Sequence, residues 1–410
     1  MNASEQPLPK SRQLPWPIRA LVVLAGATIL FGLFAVIVYY DEQNEGLHSG
    51  SRDTASQFER IEDAKFTPTP ASFSGSSANL RETAIMATLE DSLPKGRNAI
   101  WCSTVNMGWN RLRTEAGSPI VLAGAEDMCR RLNIVSVASE DIAAKDCFIG
   151  LTSPGGQNAE QVLSEFRRRF PGNQPPKLEN NPLFIQAVVF LDASQTFTQP
   201  FRDLDDKVLF HSGGGKEAEI KAFGIPKEGH GFEPMRKQVR VLFRNEKEYA
   251  LDLSIATQPY QVIVSRQPPS ATLGEALQVF DQKCEAAKSN GCPRTMKDHG
   301  SLAVPTMSWA INHSFAELQN KWVIQPERWR ILEGKVVRMD QETHFRLDRS
   351  GAYVRSVFVG VSVIVDGDEP TVASEEFPFN RPFLLIMKKR DHPRPFLVMW
   401  IDNAELLIKK

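Results

Sequence analysis

Phe379-Asn380-Arg381-Pro382-Phe383-Leu384-Leu385-Ile386-Met387, the charged run KKRDHPR at 388–394, and Pro395-Phe396-Leu397-Val398-Met399 form the stretch that decides the fold. Physically this is two apolar strands joined by a charged turn. The two runs would lie in a core sheet.

Working outward, Pro182–Leu191, Gln238–Phe243, Ser356–Val365 and Pro382–Met387 are β-branched, aromatic or alternating, and read as strands. Helical patterns come earlier, at Thr83–Ser92 and Gly156–Phe170. The whole is an α+β pattern without an internal repeat. The 410 residues hold 42% hydrophobic and 24% charged side chains, an ordinary globular balance. With 48 Lys+Arg against 49 Asp+Glu the net charge is −1, which gives no reason to expect a nucleic-acid partner.

The N-terminus breaks that average. Ala20 to Tyr40 reads ALVVLAGATILFGLFAVIVYY, 21 residues without a charge. As a helix that run measures about 32 Å, enough for a bilayer core of about 30 Å. Trp16 and Tyr39-Tyr40 flank it where aromatic residues favour the interface. A buried core helix and a cleavable signal peptide are the alternatives. The run exceeds a signal peptide's apolar region and ends in VIVYYDEQ rather than in small residues, which favours an uncleaved anchor. Lys10, Arg12 and Arg19 precede it while Asp41, Glu42 and Glu45 follow. The positive-inside rule then keeps residues 1–19 as a cytoplasmic tail and exports everything after Tyr40.

Residues 41–79 are rich in Ser, Gly, Thr, Glu and Pro and read as a flexible linker. Residues 80–410 have no second linker of this kind and read as one extracytoplasmic domain. All five cysteines lie in that part, and Cys284 and Cys292 enclose EAAKSNG as a candidate disulfide-closed loop. Unbridged buried cysteines are the alternative.

Catalytic motifs are missing. The sequence has no G-x-S-x-G elbow, no H-E-x-x-H, no paired C-x-x-C zinc arrangement and no ligand spacing among its seven histidines. Ser212-Gly213-Gly214-Gly215-Lys216 lacks the first Gly and the final Ser/Thr of a phosphate loop, and reads as a turn. Arg167, Arg168 and Arg169 suit the C-terminal dipole of a helix better than a polyanion site. No catalytic residue, metal or cofactor is expected.

The opening stretch resembles the end of a serpin, where F-N-R-P-F-L-F-x-I is followed by L-F-M-G. Trp400 stands in place of that Gly and should alter local packing. Further segments fall in serpin order. Leu183 to Phe190 resembles the family's L-V-L-V-N-A-I-Y-F strand, with Gln186 for Asn, and Phe201 fits the Phe that follows. Val304-Pro305 and the helix-like HSFAELQNK resemble the P-K-F strand and the helix after it. Asn98 to Ser103 occupies the place of N-V-F-x-S-P without the Pro. The resemblance covers roughly residues 80–410. It implies a serpin-like fold, three β-sheets surrounded by helices, here preceded by one N-terminal transmembrane helix.

It also implies a mechanism to test. In an inhibitory serpin an exposed loop is cut by the target protease and inserts into the central sheet, and the released strain distorts the acylated protease. Insertion needs a hinge of small residues. The corresponding segment here runs from Asp348 to Phe358. Asp348 and Gly351 fit the pattern and Ala352 is small, but Arg349 replaces the usual Glu. Tyr353, Val354, Arg355 and Phe358 replace small residues beside Ser356, and side chains of that bulk would overpack an incoming strand. VRSVFVGVSVIV has strong β propensity and Asp366-Gly367 is a hairpin dipeptide, so a stable strand or hairpin is expected rather than a bait loop. By spacing, the cleaved bond would fall near Val365–Asp366. His344 lies about three residues out of register with a buried family histidine, and that role is not transferred.

These readings point to a membrane-anchored, extracytoplasmic, non-inhibitory serpin-like protein that binds or scaffolds. The alternative is an inhibitor of serine or cysteine proteases. The expected partners are the membrane, through the N-terminal helix, and a protease or another protein.

Overall fold

The stretch that opens the sequence reading folds as two antiparallel strands, Phe383–Lys389 and Pro395–Ile401, in register from Phe383↔Ile401 to Met387↔Leu397. Residues 383–387 and 395–401 are all buried, so the missing alternation reflects apolar cover on both faces. Asp391, at φ 64°, turns the chain between them. The computed structural model describes residues 70–359 and 376–410, apart from 182, 229, 292–293, 298 and 332–333. The expected span at Ala20–Tyr40, the tail before it, most of the linker and the Val365–Asp366 bond lie outside the described residues. Among the described residues no helix is long and apolar enough to cross a membrane.

In chain order the first elements are β1 (Phe73–Ser76), β2 (Thr83–Met86), β3 (Asn98–Cys102), α1 (Thr104–Ala116), β4 (Val121–Leu122) and α2 (Glu126–Leu132). Then come β5 (Cys147–Thr152), α3 (Ala159–Arg169), β6 (Gln186–Thr196), β7 (Arg202–His211), β8 (Glu217–Ile225) and α4 (Glu233–Lys237). The middle of the chain gives β9 (Arg240–Arg244), β10 (Tyr249–Asp252), β11 (Tyr260–Arg266), α5 (Leu273–Ser289), β12 (Ser301–Pro305) and β13 (Met307–Ser314). The last part gives β14 (Lys321–Gln325), α6 (Glu327–Ile331), β15 (Lys335–Val336), β16 (Asp340–Asp348), β17 (Gly351–Val359), β18 (Glu376–Pro378), β19 (Phe383–Lys389) and β20 (Pro395–Ile401).

Three large sheets result: six strands ordered β1-β13-β16-β17-β6-β5, seven ordered β2-β3-β20-β19-β11-β10-β9, and four ordered β18-β12-β8-β7. A small sheet, β15-β14-β4, stands apart from them in pairing. The six-stranded sheet carries helices on both faces. On one face α1 packs against β5, β6 and β17 with Val105, Met107 and Trp109 buried. On the other, α3 lays Val162 and Phe166 over Phe148, Phe190 and the half-buried Val357. α3 starts where it does because Asn158 and Gln161 form a capping box: Asn158 Oδ1 accepts from the Gln161 N–H and Gln161 Oε1 from the Asn158 N–H, both at 2.9 Å. It ends on Arg167, Arg168 and Arg169, as the dipole favours.

Three expectations are corrected. Thr83–Ser92 is not helical: Thr83–Met86 is β2, parallel to β3 and buried at all four positions, because a sheet partner outweighs local helix propensity. The helix-like HSFAELQNK ends β13 and then turns. Gln319 Nε2 donates to Ser314 Oγ at 2.7 Å, and Asn320 takes φ 59°, which no helix continues through. The linker stops short of residue 79. β1 runs parallel to β13, and Ser72 Oγ donates to the carbonyls of Ser308 and Leu406 at 2.9 and 3.0 Å.

One contact fixes how α1 meets the main sheet. A Cβ on Gly108 would lie 2.2 Å from the Phe358 ring, so the ring occupies the space that any other residue would fill. Gly108→Ala should lower stability by about 2–3 kcal/mol by overpacking. In urea unfolding, Gly108→Ala combined with Phe358→Leu should cost clearly less than the sum of the two single changes.

Candidate functional site

The segment expected to be a poor hinge is a central strand. β17 pairs with β16 from Asp348↔Gly351 to Asp340↔Val359, and with β6 from Gly351↔Thr196 to Phe358↔Val189. Arg349 and Ser350 alone connect β16 to β17. Asp348 Oδ1 accepts from the Ser350 N–H at 2.8 Å, and the carbonyls of Ser350 and Arg349 accept from Phe197 and Phe201 N–H at 2.9 and 2.8 Å. A Cβ on Gly351 would stand 2.3 Å from the Gln195 carbonyl oxygen, so only glycine lets the strand start this close to β6.

Side chains along β17 alternate strictly. Ala352, Val354, Ser356 and Phe358 are buried toward α1, while Tyr353, Arg355 and Val357 are half-buried on the opposite face. On the α1 side, Ser356 Oγ lies 3.0 Å from Thr104 Oγ1 and 3.0 Å from Thr343 Oγ1. Gln341 Nε2 donates to Thr104 Oγ1 at 2.8 Å, so helix, hinge strand and β16 share one buried hydroxyl chain. Hydroxyls are too weak as bases to activate Ser356 as a nucleophile.

On the other face the charges are matched. Asp192 on β6 faces Arg355 across the ladder; Arg355 Nε and Nη2 donate to its two oxygens at 3.3 and 3.1 Å, and the Tyr353 hydroxyl donates to Oδ1 at 2.8 Å. Arg355 also donates to Asn173 Oδ1 and lies 5.5 Å from the Phe190 ring centre. Burial, then the Asp192 charge, pushes the Tyr353 phenol far up, so it stays a donor at every physiological pH. On β16, His344 Nε2 and Glu342 Oε1 are 2.6 Å apart, and that hydrogen bond holds the Glu342 carboxyl below the usual range. The bulky and charged residues therefore fit because Gly108 makes room for Phe358 and Asp192 neutralises Arg355.

Elsewhere, Ser212–Lys216 forms the turn between β7 and β8, with Lys216 paired to Glu82. Trp400 is buried and donates from Nε1 to Asp402 Oδ2 at 3.3 Å. Cys102, Cys129, Cys147 and Cys284 are free thiols. Cys284 packs half-buried from α5 against the core, and Cys292, its expected partner in a 284–292 bridge, lies outside the described residues. Burial pushes Cys129 up to about 11, and Cys147 and Cys284 up to about 12, so these are protonated thiols rather than nucleophiles at neutral pH. Among the described residues no three metal-ligating side chains converge.

Thr104, Gly108 and Asp192 complete the site, and sequence spacing does not mark them. Asp192 lies 163 positions from Arg355, and Thr104 lies 252 from Ser356. The polar, alternating character of 353–357 was the one available signal that a charged partner had to exist.

No family model matches the sequence, and no curated protein matches it. The chain is similar to a solved structure of cleaved serpin 42Da, with TM-score 0.42 and 11% identity over 75% of this chain and 90% of that one. It is similar to a loop-inserted, cleaved ovalbumin mutant, with TM-score 0.39 and 12% identity over 76% and 94%. A third likeness is the thermophilic serpin Tengpin in the latent state, with TM-score 0.37 and 9% identity over 78% and 94%.

Replacing Asp192 by Ala leaves Arg355, whose side chain is only 18% exposed, without its carboxylate. Stability should fall by about 2–3 kcal/mol, short of the cost for a fully buried pair. A double-mutant cycle with Arg355→Met, read by urea unfolding, should give a coupling energy above about 1 kcal/mol.

Proposed function

We propose that the chain is a serpin-like protein that does not inhibit by loop insertion, held outside the cytoplasm by Ala20–Tyr40 and acting by binding or scaffolding. The single observation that carries this reading is the place of β17. A loop-inserting inhibitor keeps the corresponding segment out of the sheet until cleavage, and insertion then drives the distortion of the protease. In support of the reading, residues 351–358 pair with β16 on one edge and β6 on the other, and their side chains pack on both faces of the sheet. A cut in residues 360–375 would leave little further strand to add, and little energy to release.

The side chains support the same reading. Small hinge residues suit a segment that must leave and enter a sheet. Tyr353, Arg355, Ser356 and Phe358 each have a dedicated partner on β6, β16 or α1. The charge asymmetry of residues 1–45 supports an exported domain. The reading assigns no catalytic residue, metal or cofactor, and its partner is a protein or a surface.

Incubation with a panel of serine and cysteine proteases should yield no SDS-stable covalent complex. A chain cut within residues 360–375 should melt at the same temperature as the intact one. Covalent complexes, or a large rise in melting temperature after the cut, would return the protein to the inhibitors.

A further inference from the structure

The motif Asn-x-Ser/Thr, with x not proline, occurs twice in the sequence, at Asn2-Ala3-Ser4 and at Asn312-His313-Ser314. The second closes β13. Trp309, Ile311 and Phe315 are buried on one side of this stretch, while Asn312 is half-buried and Ser314 exposed on the other. Asn is depleted in strands, and among the described residues the Asn312 side chain has no hydrogen-bond partner to account for its place. The sheet leaves room around it. β1 ends opposite, where the exposed Ser76 pairs with Asn312 and presents a short side chain. On the other edge Glu342 faces it, 35% exposed. Val357, which α3 covers, lies one strand further along the row, so the helix-covered part of this face begins about 10 Å away.

We propose that Asn312 is the acceptor of an N-linked glycan. The proposal rests on the reading that residues after Tyr40 are exported, since the donor, a lipid-pyrophosphate-linked oligosaccharide, is used on that side of the membrane. The Asn312 amide nitrogen attacks the anomeric carbon of the donor. A carbon–nitrogen bond forms there, and the bond from that carbon to the pyrophosphate oxygen breaks. The amide loses one proton and the lipid pyrophosphate leaves. The transferase that catalyses the step is a separate membrane enzyme, and it recognises the Ser314 hydroxyl two positions on.

The folded domain accommodates the product. Ser314 Oγ donates to Asp340 Oδ1 at 2.8 Å and accepts from Gln319 Nε2 at 2.7 Å. Both partners follow Ser314 in the chain, so the hydroxyl is open to the transferase until β13 meets β16. Once the strand is paired, the glycan stands off the sheet beside Glu342 and displaces no buried group. Asn2 is the internal control. It belongs to residues 1–19, which the same reading keeps in the cytoplasm, away from the donor.

The test synthesises the full chain with endoplasmic-reticulum microsomes, which supply donor and transferase, and reads gel mobility before and after endoglycosidase H. Wild type should carry one glycan, a single mass step that the endoglycosidase removes. Asn312→Gln and Ser314→Ala should lose it, Ser314→Thr should keep it, and Asn2→Gln should leave it unchanged. Transfer occurs before folding is complete, so a variant that folds poorly still reports acceptor use. Protease added outside the vesicles then separates the site from the reading it rests on. A domain that the vesicle protects but that lacks the step overturns the glycan site and leaves export standing. A domain digested from outside overturns export, and the site with it. A step that Asn2→Gln removes and Asn312→Gln keeps reverses the orientation and overturns both.

Discussion

Two hydrogen-bond ladders, one on each edge of β17, hold the six-stranded sheet together. Remove that strand and β16 and β6 each present a row of unpaired backbone groups, which the fold would have to close over or leave open to water. The rest of the layer is built around this arrangement. Gly351 lets the strand begin against Gln195, Gly108 gives Phe358 its place, and Asp192 meets the charge that Arg355 brings to the opposite face. The partners come from β6, which brings Gln195 and Asp192, and from α1, which brings Gly108.

Much of this was legible from residues alone, and the rest was not for identifiable reasons. Phe383–Met387 and Pro395–Met399 could be read as buried strands because unbroken apolarity leaves no polar face to hydrate. The β character of 354–359 was equally clear, since alternating Val, Ser and Phe with an Arg suit a two-faced strand. Its partners were not legible: Thr104, Gly108 and Asp192 are ordinary residues at great sequence distance, and only the sheet brings them together. Thr83–Met86 misled because a four-residue buried strand carries no period that separates it from a helical turn. HSFAELQNK misled because a left-handed Asn320 and a side-chain bond from Gln319 override good helix formers.

The same physics changes the meaning of the hinge composition. Large residues at 353–358 look like defects when judged as a segment that must slide into a sheet. They become specific contacts once the segment is a permanent strand, since α1 contributes a missing side chain and β6 a countercharge. Each of those contacts would be lost if the segment left the sheet.

The central claim is that β17 belongs to the folded core at rest. Native-state hydrogen exchange on the intact chain measures this at the amides of residues 352–358. The account predicts that they exchange only through global unfolding, with protection equal to that of the β19 amides in the core sheet. Exchange of these amides in a local opening, well ahead of β19 and independent of denaturant-driven unfolding, would contradict it and make the segment a movable loop.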